Sequence, residues 1–308
     1  MFLFAGLTKL AVAMNRLTLI IPVYNRATVV ERTLASVEAQ TARDFDIILV
    51  DNNSTDDTAA VLRSWSKSTS RNVVVLNETR KGAAAARRCG AAAAVTEWLM
   101  FFDSDDVMAP AHIARVLDAI EQMPDADVFG WDIMLRYGAF DRLGDFVKND
   151  AQYRSLLNGT MGTQRYCVRR SVYEQSGGWC PEVSVWDDIE LGARILALNP
   201  KIVKLRGAPM VDVYLQPDSI THGESARNYG AIERALTRIA GTLGPQRAHW
   251  VDLKRIIVAA NEPDEALSSA LLQRIMDDAT SHRALLRLAY AYTRRGGRGI
   301  ARLLRPFM

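Results

Sequence analysis

At 308 residues and 49% hydrophobic content the chain is long enough to bury a full core, as one large domain or two modest ones, and it reads as a soluble globular protein with a net charge of +3. Lys9 and Arg16 interrupt the apolar opening stretch, which excludes a membrane span of about 18 residues, and that stretch lacks the basic start of a signal peptide. Cys89, Cys167 and Cys180 are odd in number and widely spaced, which argues against a disulfide framework or a cysteine zinc site and for a reducing, cytoplasmic compartment.

Residues 1–13 form an N-terminal extension, since Met14 stands just ahead of the first strand as an alternative start. The next 120 or so residues alternate short β-branched runs with helical patterns. Strands are predicted at 17–23, 46–50, 72–76, 98–102 and 127–135, and helices at 27–40, 58–66, 82–95 and 110–122. Such alternation predicts an open α/β sheet with right-handed crossovers. The alanine runs at 83–86 and 91–94 read as a closely packed helix. From 138 to 213 the periodicity is mixed, with a helix over 187–197 and short strands at 164–168 and 202–203; beyond 226 the chain reads as helical, broken at 241–245 and 296–297.

Ligands bind open parallel sheets outside the carboxyl ends of the strands, so polar groups there carry most of the functional information. The first strand runs into Pro22, Tyr24 and Asn25, the second into Asp51, and the fourth into Asp103-Ser104-Asp105. No glycine-rich dinucleotide fingerprint or P-loop occurs, so phosphate must be held another way. Alternating carboxylates after a buried strand can hold a hard cation that bridges two phosphates. The same acids could equally form a solvated turn ahead of Pro110. In the second strand's loop Asp56 and Asp57 read as capping residues, which leaves Asp51 as the functional candidate. Trp186-Asp187-Asp188 opens a helix, where acids are favoured by the dipole, yet one carboxylate there would serve as general base for an acceptor hydroxyl, and Asp188 is the candidate.

Taken together, these ordered motifs resemble the family 2 glycosyltransferases over roughly residues 17–224. Leu19-Ile-Ile-Pro-Val-Tyr-Asn25 is similar to the family's opening strand, and Asp51 stands where its second motif contacts the base. Lys81-Gly82 through Arg87 resembles the glycine-then-arginine helix near the nucleotide, and Asp103-Ser104-Asp105 the family's metal motif. Gly177-Gly178-Trp179 looks like the Gly-Gly-aromatic turn beside the acceptor, with Asp187-Asp188 where the family has Glu-Asp. Two departures are Asn52 in place of a second acid and Arg88 in place of asparagine.

The resemblance implies a GT-A fold: a Rossmann-like mixed, mainly parallel sheet flanked by helices, in a domain over 14–225, with a nucleotide-binding half at 14–135, an acceptor half at 136–225 and a helical extension at 226–308. It implies a nucleotide diphosphate sugar donor, a UDP-sugar by default, and a divalent metal, Mn2+ or Mg2+, held by Asp103, Asp105 and His222. The donor-binding set would be Pro22, Tyr24, Asn25, Asp51, Lys81, Arg87, Asp103, Ser104 and Asp105. In-line attack with Asp188 as base would invert the sugar, and the acceptor would be a cell-surface or lipid-linked glycan. Trp131, Trp179, Trp186 and Asp187 are acceptor-side candidates, although any one of the tryptophans could instead fill core.

Residues 283–308 hold seven arginines and no acid, so residues 1–282 carry a net charge of −4. Ile300, Leu303, Leu304 and Phe307 share a helical face flanked by Arg298, Arg302 and Arg305, which reads either as a peripheral contact with the inner face of an anionic membrane or as a helix docked on its own domain. Nucleic-acid binding is not expected, because no aromatic interleaving accompanies these arginines. Two rivals are a sugar-nucleotide pyrophosphorylase, which would want a glycine-rich phosphate loop, and a non-catalytic nucleotide-sugar or glycan-binding module of the same fold.

Overall fold

In the computed structural model, which describes residues 15–138, 140–146, 160–214, 229–279, 281–298 and 300, the period-two pattern of the strands sorts their side chains onto two apolar faces. Along β1 (Leu17–Val23), Ile20 faces one cluster while Leu19 and Ile21 face the other. Along β2 (Asp46–Asp51), Ile48 and Val50 oppose Ile47 and Leu49, and along β4 (Trp98–Phe101), Leu99 and Phe101 oppose Trp98 and Met100. Both faces are buried, as parallel strands require. The crossovers are α1 (Val30–Glu38), α2 (Thr58–Ser68) and α3 (Ala83–Ala93), with β3 (Val73–Asn77) at the sheet edge.

The main sheet has seven strands in the order β10-β6-β9-β4-β1-β2-β3, where β6 is Val128–Trp131, β9 Tyr166–Arg169 and β10 Ile202–Leu205. All its pairings are parallel except those of β9, which lies antiparallel between β4 and β6. A second sheet of four strands, β5-β11-β7-β8, joins β5 (Val107–Met108), β7 (Ile133–Arg136), β8 (Asp141–Gly144) and β11 (Val211–Tyr214). The single strand predicted over 127–135 is therefore two. The chain leaves the main sheet at Asp132, whose carboxylate accepts from the Phe146 amide at 2.6 Å and pairs with Lys204 at 2.8 Å.

The alanine-rich α3 packs as closely as its sequence implied: a Cβ on Gly90 would come within 2.5 Å of the Ile20 side chain. On this same face lie α6 (Asp187–Ala197) and four C-terminal helices, α7 (Tyr229–Leu243), α8 (Ala248–Ala260), α9 (Glu265–Asp278) and α10 (Arg283–Arg294). α4 (His112–Gln122) covers the other face, and α5 (Arg170–Gln175) follows β9. One apolar cluster runs from Ile20 and Phe101 through Leu191 to Leu236, Ile256 and Leu286, so the helical region and the sheet share a core. Glu190, 1% exposed, ties α6 to α7 by accepting from Arg194 at 2.6 Å and Arg238 at 2.9 Å.

Among the described residues no helix is long and apolar enough to cross a membrane. All three cysteines are free. Ile300 is buried against the core, whereas Arg302, Leu303, Leu304, Arg305 and Phe307 lie outside the described residues, as does His222.

Candidate active site

The carboxyl ends of β1, β2 and β4 form one rim, and each of the sequence candidates there is held by a different device. Asp51, buried at the end of β2, accepts from the Ser54 amide at 3.2 Å and from Asn77 at 3.3 Å. Asn25 sits in the left-handed region, φ 49°, and its side-chain oxygen accepts from the Thr55 amide at 2.8 Å, which fastens the first loop to the second. Pro22 is buried within β1, while Tyr24 is 45% exposed and Lys81 is exposed on the loop before α3. Asp56 accepts from the Thr58 and Ala27 amides, the capping role expected of it, whereas Asp57, at the N-cap of α2, makes no side-chain capping bond.

Asn52, where the resembling family often has an acid, uses both ends of its amide. It donates to the carbonyls of Glu78 at 2.9 Å and Arg80 at 2.7 Å and accepts from the Gly82 amide at 2.8 Å. A carboxylate could make only the last of these bonds. Arg88 is exposed and donates to the Trp179 carbonyl at 3.2 Å.

Arg87, on α3, is the centre of the arrangement. Its guanidinium, 7% exposed, donates through one terminal nitrogen to Asp103 Oδ1 at 2.6 Å and through the other to Asp187 Oδ2 at 2.8 Å. The Trp179 ring lies 4.6 Å beneath it, and its Nε is buried without a partner. Burial alone would lower its pKa, but Asp103 and then Asp187 outweigh that and hold it above the ordinary value. The acids after β4 and the acids opening α6 are thus brought together through one buried cation.

Gln164, 9% exposed, donates to both Asp103 and Asp106, the latter at 2.7 Å. Asp106 also accepts from the Tyr214 amide at 2.9 Å, and burial, followed by the charges of Asp103 and Asp105, holds its carboxyl well above the usual range. Burial and Asp103 likewise push Asp105 up to about 6, only partly offset by Arg26, 3.9 Å away. Arg32 donates to the Asp105 carbonyl and stacks 3.9 Å over the Tyr214 ring. Ser104 is buried between the two rim acids.

Burial and the neighbouring Asp187 push Asp188 up to about 6, against the pull of Arg87. Its Oδ1 accepts from the Ile189 amide at 2.8 Å. The Tyr166 hydroxyl is buried without a partner, within the field of Asp188. Gln164, Tyr166 and Arg32 belong to no motif, and sequence reasoning passed over them.

Trp131 and Trp179 are fully buried. The Trp131 indole donates to the Gln164 carbonyl at 2.8 Å and packs edge-on against His112, and Trp179 packs edge-on against Phe101, so both occupy core rather than offering a face to a sugar. Trp186 is half-buried with φ 58°, and Lys254 lies 4.8 Å over its ring. The Gly177-Gly178 turn has positive φ at both residues, and a Cβ on Gly178 would fall 2.7 Å from the Tyr173 ring, whose hydroxyl accepts from the Trp179 amide at 3.2 Å.

Asp103 and Asp105 alternate just after β4, Asp105 with only Arg26 of the described residues within ion-pair reach at 3.9 Å, and two such carboxylates suit a hard cation. Among the described residues no three His, Cys, Asp or Glu side chains form a ready cluster. Two carboxylates completed by substrate phosphates and water is the ordinary arrangement for Mg2+.

The mainly parallel sheet with one inserted antiparallel strand is a fold of GT-A type. Residues 18–167 match the family model described as Glycosyl transferase family 2. It is 28% identical over 187 residues to the PGL/p-HBAD biosynthesis glycosyltransferase of Mycobacterium tuberculosis, covering 60% of this chain and 71% of that one. It is 30% identical over 118 residues, 38% of each chain, to the GalNAc(5)-diNAcBac-PP-undecaprenol beta-1,3-glucosyltransferase of Campylobacter jejuni. Among solved structures, residues 1–349 of S. aureus TarS in complex with UDP-GlcNAc match with a TM-score of 0.64 at 16% identity, covering 94% of this chain and 92% of that one. The chain spans 55% of the longer TarS structure. The mannosyltransferase PcManGT of Pyrobaculum calidifontis, in complex with GDP-Man and Mn2+, matches with a TM-score of 0.58 at 18% identity over 96% of this chain and 88% of that one.

Proposed function

We propose that this glycosyltransferase transfers a sugar from a nucleotide diphosphate sugar, a UDP-sugar by default, to a hydroxyl of a cell-surface or lipid-linked glycan, with inversion at the anomeric carbon. The observation that carries the reading is the Arg87 bridge, which holds the acids after β4 and the acids opening α6 around one buried centre. Nucleotide complexes of two GT-A neighbours support the donor class, and the undecaprenol-linked name of the C. jejuni relative supports the acceptor class.

In this reading the loops after β1 and β2 receive the base and ribose, with Asp51 at the end of β2 and Asn25 fixing the loop between them. Asp103 and Asp105 would hold a divalent cation, Mn2+ or Mg2+, and His222 is the candidate third ligand. When bound, that cation neutralises charge on the departing diphosphate. Asp188, raised to about 6, is deprotonated near neutral pH yet basic enough to accept the proton of the attacking hydroxyl. Arg87 pairs with Asp187 beside it and fixes the start of α6. Work on a lipid-linked acceptor would place the enzyme in the cytoplasm at the inner face of the membrane, with the basic C-terminal tail as its contact.

The test is donor binding and hydrolysis across a panel of nucleotide sugars with Mn2+, Mg2+ or chelator, comparing wild type with Asp105→Ala and Asp188→Asn. One donor should be cleaved only with metal. Asp105→Ala should abolish both donor binding and cleavage, while Asp188→Asn should keep donor affinity and lose roughly 10²–10⁴ in rate. Equal loss of donor binding in both variants would refute this division of roles.

A further inference from the structure

Arg87 is bound to two carboxylates that do not serve the same substrate. Asp103 stands at the end of β4 on the donor rim and is 30% exposed, whereas Asp187 stands in the first turn of α6 and is 18% exposed. One terminal nitrogen goes to each, and the ring of Trp179 closes the guanidinium from below. Trp179 is in turn held by the Gly177-Gly178 turn and Tyr173, and α3 is pressed onto β1 at Gly90, so the backbone carrying Arg87 has no room to follow one partner away from the other. The side chain is a shared counter-ion at a fixed position.

We infer that Arg87 couples the two halves of the active site by electrostatic exchange: a cation arriving at Asp103 competes with the guanidinium for that carboxylate and releases it to Asp187 and the base beside it. This inference rests on the donor-side reading of Asp103. A positive charge already divided between two anions is a weaker competitor at either one than a charge committed to one alone. A cation at Asp103 thereby strengthens the hold of Arg87 on Asp187. Arg87 acts as a positioning residue that touches neither reacting atom.

The competition has a consequence that runs against simple expectation. Asp187 does not face the cation, yet removing its charge should weaken cation binding, because Arg87 then commits wholly to Asp103. Mn2+ affinity, measured by calorimetry on the full chain without nucleotide, is expected to fall roughly three- to tenfold in Asp187→Asn. Asp188→Asn removes the same unit charge one residue further on, from a side chain with no bond to Arg87, and should change the affinity less than about twofold. In an Arg87→Gln background, where a neutral amide replaces the guanidinium, the effect of Asp187→Asn should vanish.

Equal losses in Asp187→Asn and Asp188→Asn would mean a general field effect and overturn the inference. So would persistence of the Asp187→Asn effect in the Arg87→Gln background. If Arg87→Gln fails to fold, the comparison of the two aspartate variants decides alone. Wild type that binds Mn2+ normally while Asp187→Asn matches it sinks the coupling and leaves the glycosyltransferase reading standing. No Mn2+ binding by the wild type, with or without nucleotide, removes both the metal reading and the coupling built on it.

Discussion

Asn52 shows how one atom's chemistry can separate two residues of the same shape. Its amide nitrogen serves two carbonyls on the loop before α3, so Asn52→Asp replaces a donor by an anion facing the oxygens of Glu78 and Arg80. The group is 4% exposed, and losing buried partners in this way typically costs about 1–3 kcal/mol. Thermal unfolding of Asn52→Asp should show that loss at neutral pH, with partial recovery as the new carboxyl protonates. Asp188 gives the opposite trade. Its folded pKa, about 6 against an ordinary 3.8, means the fold favours the protonated form. Its contribution to stability is therefore present below 3.8 and lost as pH rises through about 6. Asp188→Asn, which keeps the acceptor for the Ile189 amide, should raise the melting temperature at pH 7, lose that advantage below pH 4, and abolish the acid limb near pH 6 in the activity profile. An unchanged limb in this variant would remove Asp188 from the role of base.

At the scale of elements, what the sequence made legible is what local pattern determines. β1 and α6 match their predicted spans, and β2, β3, β4 and α2 fall within a residue or two of theirs, because alternation, capping acids and helix periodicity are all local. Asp132 interrupts the apolar run of 127–135, but nothing local to that run reveals that Phe146 and Lys204 will hold its carboxylate and turn the chain into a second sheet. The antiparallel insertion of β9 was hidden for the same reason, since pairing with β4 and β6 is a property of three distant segments. With it went Gln164, which lies 61 residues from Asp103 and reaches the rim only because β9 sits between those strands. The Gly177-Gly178 turn was legible, and it makes a clear prediction. Gly178→Ala must place a side chain at φ 64° and into the Tyr173 ring, so a cost of about 2–4 kcal/mol is expected, with the Trp179 fluorescence environment changed because that ring is positioned by the turn. Gly241→Ala, which meets no atom within 4 Å and has no positive φ, is the matched control and should be near neutral or stabilising.

Across the whole molecule, the C-terminal helices complete the core of the catalytic sheet rather than standing apart from it. The apolar cluster is continuous from β1 and β4 through α6 to α7, α8, α9 and α10, and the buried Glu190 receives one arginine from its own helix and one from α7. A carboxylate in that position is stable only while both guanidiniums face it, and removing it leaves Arg194 half-buried with its charge uncompensated. Arg238 is 47% exposed and can turn to water, so the expected cost of Glu190→Ala is nearer 2–3 kcal/mol than the full penalty of a broken buried pair. Because Glu190 shares the first turn of α6 with Asp187 and Asp188, loosening its contact with α7 should also reduce activity at temperatures where the fold itself persists. A shared core further requires the sheet and helices to unfold together. Calorimetry of the wild type should show one transition whose van't Hoff and calorimetric enthalpies agree, and in Glu190→Ala that single transition should move to lower temperature without splitting. Two separated transitions, with the lower one leaving nucleotide binding intact, would show instead that the helices are an independent unit and that α6 is held by the sheet alone.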